Sequence, residues 1–111
     1  MDVKDFLLLT RSERSFQREL INAAHILGWR VVHFRPALTQ KGWRTPVQGD
    51  GVGFPDLILV RGGRLIFAEL KSENGKANDA QKAWAKILGQ TPAEVYLWRP
   101  SDWSTIVEVL K

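Results

Sequence analysis

Two acidic residues and a lysine form the most informative pattern in the chain. Asp56 follows Pro55, and after a further twelve residues Glu69 and Lys71 stand on either side of Leu70. Two carboxylates that are held close together repel each other, and a divalent cation is the simplest remedy. With the backbone carbonyl of Leu70, the two carboxylates would supply hard oxygen ligands for Mg²⁺, for which Mn²⁺ would substitute. The pattern therefore predicts a metal site suited to phosphodiester hydrolysis.

Two neighbouring strands must bring these residues together. Apolar runs over 57–60 and 65–70 are separated by a Gly-Gly turn, which predicts a tight antiparallel hairpin. In such a hairpin the start of the first strand lies beside the end of the second, so Asp56 should approach Glu69. Side chains alternate between the two faces of a strand, so Glu69 and Lys71 should share one face.

The rest of the chain predicts an α/β fold in which a mixed β-sheet is flanked by helices in the order α-β-β-β-α-β-α. Residues 36–54 show neither helical nor strand periodicity, so we expect an irregular loop that contacts a ligand. The expected elements are a helix over 11–27, strands over 29–34, 57–60 and 65–70, a helix from Asn78 or Asp79 that ends at Gly89, a strand over 94–98, and a last helix from Ser101 or Asp102 to Leu110.

These motifs resemble a known family. The Pro55-Asp56 and Glu69-x-Lys71 elements are similar to the PD-(D/E)xK nuclease motif. Nearly the whole chain is similar to a stand-alone VRR-NUC domain, on the further motifs Ser12-Glu13, Phe16-Gln17, Gly28-Trp29, Gly53-Phe54, Ser72 to Lys76, and Gln81 with Trp84. The resemblance implies a restriction-endonuclease-like core, a metal-dependent DNA endonuclease related to Holliday-junction resolvases, and a homodimer.

The resemblance also implies two further catalytic residues. Glu13 could simply close a helix capping box that begins at Thr10. The family pattern implies an acid at this position that reaches the metal directly or through water, with Glu19 as the alternative. Gln81 is similar to a glutamine on the helix after the second strand, where it would touch Lys71, the attacking water or a phosphate.

Composition limits the classes of function and suggests a polyanionic partner. The 111 residues contain no Cys, which excludes thiolate nucleophiles and Cys-ligated zinc, and the formal net charge of +4 weakly favours nucleic acid. No stretch reads as a signal peptide or membrane span, so we expect one domain over 1–111 in the cytoplasm of a bacterial or phage-infected cell. The candidate DNA contacts are Arg35, Lys41, Trp43, Arg44, Lys76 and Lys82.

Three other functions are compatible with these residues. The chain could be a general nickase or flap endonuclease of a phage or restriction system, without preference for junctions. It could also be a non-catalytic DNA-binding module on the same fold. A glycosidase that uses a pair of carboxylates would need neither the lysine nor a metal, so metal dependence separates it from the nucleases.

Overall fold

A four-stranded mixed sheet is the centre of the fold. The computed structural model describes residues 13–34, 37–40, 42–44 and 48–111. The elements in chain order are α1 (Glu13–Ile26), β1 (Arg30–His33), β2 (Ala37–Thr39), β3 (Gly42–Arg44), β4 (Leu57–Arg61), β5 (Arg64–Leu70), α2 (Asp79–Leu88), β6 (Glu94–Trp98), a 3₁₀ turn (Pro100–Asp102) and α3 (Trp103–Leu110).

The strands lie in the spatial order β1-β4-β5-β6. β1 pairs with β4 and β4 with β5 in antiparallel fashion, whereas β5 and β6 are parallel. Parallel neighbours need a crossover connection, and α2 supplies it. The predicted mixed sheet flanked by helices is therefore confirmed.

The predicted hairpin between the two motif-bearing strands is also confirmed. Arg61 pairs with Arg64 at its tip, and Gly62 adopts φ +58, a left-handed conformation that glycine adopts without a steric penalty. In this register Leu57 lies opposite Ala68. The residues next to that pair, Asp56 and Glu69, consequently face each other at the end of the sheet.

A second, two-stranded hairpin lies where the sequence predicted an irregular loop over 36–54. β2 and β3 pair in antiparallel fashion, with Thr39 opposite Gly42, and they form a separate small sheet. Each strand has only three residues. Such a length is too short for alternation of apolar and polar residues to be recognised in the sequence, which explains why the prediction of an irregular loop was wrong here.

One face of the large sheet carries the main hydrophobic core. The β5 side chains Ile66, Ala68 and Leu70 are fully buried on this face. Helices α1 and α3 pack on this face, with apolar residues that recur at helical spacing. The buried cluster contains Phe16, Leu20, Ala24, Trp29, Leu57, Leu59, Ile66, Ala68, Leu70, Trp98, Ile106 and Leu110.

The opposite face of the sheet is covered only in part, by α2. Phe54 contacts Phe67 of β5 and Trp84 of α2 edge to face, at centroid distances of 5.6 and 5.1 Å. Toward the hairpin tip the same face is open, and Val60 and Leu65 are 41% and 38% exposed. The covered half is the half nearest to Asp56 and Glu69.

The described helix ends agree with the caps expected from the sequence. Gly28, at φ +88, follows α1, and Asn78 caps the start of α2. Thr10, the expected first residue of the α1 capping box, lies outside the described residues. Within those residues, no helix is both long enough and apolar enough to cross a membrane.

Candidate active site

The carboxyl groups of Asp56 and Glu69 meet at the end of β5, as the hairpin register requires. The side chains share a hydrogen bond, and Glu69 is only 8% exposed. The backbone N–H of Leu70 donates to Asp56 Oδ2 at 3.0 Å, and the N–H of Phe34 donates to the Asp56 carbonyl oxygen, also at 3.0 Å. Three strand ends of the sheet therefore hold this carboxyl pair in place.

Lys71 lies on the same side of the strand end as Glu69. Its Nζ atom is 3.7 Å from Glu69 Oε1, and its side chain is 14% exposed. The Lys71 backbone N–H donates to the carbonyl oxygen of Trp98 in β6 at 3.0 Å, which continues the sheet by one residue. The ammonium group is thus held beside the carboxyl pair.

The environment of Glu69 disfavours its ionised form. Burial raises the pKa of Glu69 to about 8, with further contributions from the charge of Asp56 and the hydrogen bond to it. Lys71 lowers this pKa, but not by enough to compensate. Without an additional cation, the pair therefore holds a proton at neutral pH.

Gln81 connects this pair to the first turn of α2. The Asn78 side chain accepts a hydrogen bond from the Gln81 backbone N–H, and Gln81 Oε1 accepts from the Asn78 backbone N–H, both at 2.9 Å. The remaining amide group, Nε2, donates to Glu69 Oε1 at 3.1 Å. The capping box therefore fixes the amide so that its donor faces Glu69.

Glu13 lies at the start of α1, at the border of the site. It is half-buried, and burial raises its pKa, with Lys71 lowering it and Asp56 raising it. The charges of Lys71 and Asp56 thus reach Glu13. The alternative acid, Glu19, is exposed on α1.

The donor set suits a hard divalent cation. The two facing carboxyls share a proton when no cation is present, and a bound cation would displace this proton. Mg²⁺ is typically bound through one or two carboxylates and several waters. In the described part of the chain, no three His, Cys, Asp or Glu side chains are grouped as ligands of one ion. The direct side-chain ligands here would accordingly be Asp56 and Glu69.

The sequence analysis did not predict the side-chain hydrogen bonds that hold the loop following Lys71. Arg99 Nη1 donates to the carbonyl oxygens of Ser72, at 2.9 Å, and of Gly75. Glu73 Oε2 accepts from the backbone N–H of Ser101 at 3.1 Å on the other side of the same loop. The contacts join residues 24 to 28 positions apart, and no local pattern in the sequence indicates them.

The structure describes the side chains of only two of the six predicted DNA contacts. Lys76 and Lys82 are exposed, in the loop after Lys71 and in α2 next to Gln81. Trp43 and Arg44 lie on β3. Arg35 and Lys41 lie outside the described residues. The structure thus brings two exposed lysines to elements that carry site residues and leaves the other four without a described position of their side chains.

Together, the fold and the site define a nuclease-like α/β domain, with paired carboxylates and a lysine at the end of a central hairpin. Residues 10–102 match the family model of the VRR-NUC domain, and the chain belongs to this family. The resemblance read from the motifs is thereby confirmed, and it implies a nuclease-type function with DNA as the substrate. Searches for similar curated proteins and similar solved structures found no significant match.

Proposed function

We propose that the protein is a metal-dependent DNA endonuclease that hydrolyses phosphodiester bonds at branched DNA such as Holliday junctions. The observation that carries the proposal is the hydrogen-bonded pair of half-buried Asp56 and buried Glu69, with Lys71 beside it. A fold that only bound DNA would gain nothing from burying two acids next to each other, because carboxylates repel phosphates.

Asp56 and Glu69 would hold Mg²⁺, or Mn²⁺ in its place, together with the backbone carbonyl of Leu70. Glu13 would reach the ion through water, because its charge acts on the pair without forming a three-acid group with it. Bound there, the ion would polarise a phosphate oxygen and lower the pKa of a coordinated water.

The chain's own residues would position the reactants. Lys71 would orient the attacking water and stabilise the negative charge that develops on the phosphate. The water oxygen would attack phosphorus in line with the leaving sugar oxygen, so that one P–O bond forms as the other breaks. The attacking water would lose a proton to solvent, and the leaving oxygen would take one up from solvent. Gln81 would keep the Glu69 carboxylate in its orientation through the 3.1 Å hydrogen bond.

The surrounding surface would bind the DNA backbone. Lys76 and Lys82 are exposed in the segment that follows Glu69 and Lys71 in sequence, and they would supply positive charge for phosphates. For the same role we propose Arg35, Lys41 and Arg44, with Trp43 stacking on an unpaired base.

Cleavage of two strands of a junction requires two active sites. The 12.6 kDa chain carries one carboxyl pair of this kind among its described residues, so we propose a two-fold homodimer that places two pairs symmetrically. The molecular mass in solution, measured by light scattering with and without junction DNA, tests this part. A monomeric mass under both conditions would refute it.

The activity is tested on end-labelled four-way junction, flap, nicked and linear duplex DNA. We expect paired, symmetrical cuts in the junction with Mg²⁺ or Mn²⁺ and none with a chelator. Glu69→Gln preserves the shape of the side chain and should abolish cleavage while DNA binding persists. Glu108→Gln is the matched control, because Glu108 is an exposed acid that pairs with exposed Lys111, and it should cleave like the parent protein.

Each alternative has its own outcome. Metal-dependent cuts in every substrate would replace junction specificity with a general nickase or flap endonuclease. DNA binding that is insensitive to chelator, without any cleavage, would replace the enzyme with a binding module. Cleavage that Glu69→Gln leaves intact would exclude the proposed site.

A further inference from the structure

The segment that leads to Asp56 contacts α2 at Asp50, Gly53 and Phe54. Trp84 Nε1 donates to the Asp50 carbonyl oxygen at 3.0 Å, and the Trp84 ring packs edge to face on Phe54. The same helix supplies Gln81, which contacts the other carboxyl residue, Glu69. α2 therefore contacts both the segment leading to Asp56 and the side chain of Glu69.

The backbones of the segment and of the helix lie close together at Gly53. This residue adopts φ +85, and a Cβ atom on it would lie 2.6 Å from the carbonyl carbon and 2.8 Å from the carbonyl oxygen of Ala80. These are backbone atoms of the first turn of α2, so they cannot move unless the helix moves. Any side chain at position 53 would separate the segment from the helix.

We infer that Gly53 is a positioning residue that sets the distance between Asp56 and Glu69, through the contact of its bare backbone with α2. Gly53 precedes Asp56 by three residues, and Ala80 immediately precedes Gln81. We expect the segment to shift rather than the helix, which would displace Asp56 from the Leu70 N–H. The role in metal binding rests on the proposed function, whereas the positioning of Asp56 does not.

The chain supplies a matched control in the same segment. Gly49 also has a left-handed backbone, at φ +67, but no atom lies within 4 Å of the place where its Cβ would be. Gly49→Ala consequently introduces the same type of backbone strain without pushing the segment away from α2. The difference between Gly53→Ala and Gly49→Ala isolates the close approach.

The experiment measures metal affinity and site geometry separately, at a temperature at which circular dichroism shows both variants folded. Titration calorimetry with Mn²⁺, without DNA, should give an affinity about tenfold or more weaker for Gly53→Ala, as for other residues that support metal ligands. In the metal-free protein, the Leu70 amide proton signal should shift because its hydrogen bond to Asp56 is lost. Gly49→Ala should match the parent protein in both measurements.

Two results would overturn the inference: an unchanged Leu70 amide signal in Gly53→Ala, or equal effects of the two alanine variants. If Gly53→Ala does not fold, Trp84→Phe takes its place, because it removes the donor to Asp50 while keeping an aromatic ring against Phe54. It should shift the Leu70 amide signal, and no shift would again contradict the inference. A parent protein that neither binds Mn²⁺ nor cleaves DNA would refute the proposed function, while the Leu70 amide would still decide the role of Gly53.

Discussion

An acid and a base lie side by side at each end of β5, and the two pairs behave in opposite ways. At the start of the strand, Arg64 donates to both carboxylate oxygens of Glu94, at 2.9 and 2.7 Å, and this lowers the pKa of Glu94. At the other end, Lys71 is 3.7 Å from Glu69, whose pKa is raised to about 8. The charges of Arg64 and Glu94 therefore satisfy each other without a ligand, whereas Lys71 does not compensate the charge of Glu69.

The difference arises from burial and from a third charged group. The Arg64 and Glu94 side chains are about one-third exposed, whereas Glu69 is buried next to a second acid, Asp56. The Glu94 carboxylate is stabilised by water and by the bidentate contact with the Arg64 guanidinium. At the other end, the carboxyls of Asp56 and Glu69 would carry more negative charge than Lys71 can neutralise if both were ionised, which is why we propose that a cation binds there.

The largest expected effect concerns the two basic residues. Lys71→Ala should lower the cleavage rate with Mg²⁺ by about 10²- to 10³-fold, because one stabilising donor is lost at the developing phosphate charge. Arg64→Lys breaks the two-pronged contact at the other end of the strand but keeps a positive charge, and it should leave the rate unchanged. Single-turnover cleavage of junction DNA, at a temperature at which both variants are folded, measures both. Equal rates for Lys71→Ala and the parent protein would contradict the role of Lys71.

A smaller effect is expected at Gln81. Gln81→Glu retains an oxygen for the Asn78 N–H, so the capping box and α2 should persist. The donor that faces Glu69 is replaced by a third negative charge, and cleavage should fall by about 10- to 100-fold, as is typical when a group supporting a metal ligand is lost. Gln90→Glu makes the same change at an exposed residue beyond α2 and serves as the control. Similar rates for both variants would show that Gln81 only caps the helix.

The sequence was sufficient to predict the elements that carry the site. The apolar runs on both sides of Gly62-Gly63 are local, and so is the register that follows from a two-residue turn. That register alone brings Asp56 to Glu69, and strand alternation places Lys71 with them. Helical spacing and caps similarly predicted the helices that flank the sheet.

The sequence was not sufficient where contacts are distant or patterns are short. The strands β2 and β3 are too short to show alternation. Arg99 reads as an ordinary surface charge until β6 brings it to the carbonyl oxygens of Ser72 and Gly75. The sequence does not distinguish Gly53 from an ordinary loop glycine, because the need for a residue without Cβ arises from the nearby backbone of Ala80, 27 positions away. The raised pKa of Glu69 likewise depends on burial by the complete fold.

The smallest expected effect concerns stability, where the two acids should give opposite pH dependences. Because the pKa of Glu69 is raised from about 4.5 to about 8, the folded protein binds more protons than the unfolded chain between these values. The free energy of unfolding without metal should therefore fall as the pH rises through this window, by at most about 1.4 kcal/mol per pH unit. Glu13, whose pKa is also raised, contributes with the same sign. Glu94 has a lowered pKa, so its contribution is present above about 4.5 and is lost as the pH falls below it.

Thermal unfolding with a chelator, followed between pH 5 and pH 9, separates the two acids. The side chain of Glu69→Gln cannot ionise, so the free energy of unfolding should depend less steeply on pH. The variant should then be more stable than the parent protein at pH 9. Glu94→Gln should lower stability by about 0–1 kcal/mol, the usual range for a surface pair, without changing the slope in this window. Mg²⁺ should stabilise the parent protein most at high pH, because ionised Glu69 then has its cation. A slope in Glu69→Gln as steep as that of the parent protein would show that the two ends of β5 differ less than their pKa shifts indicate.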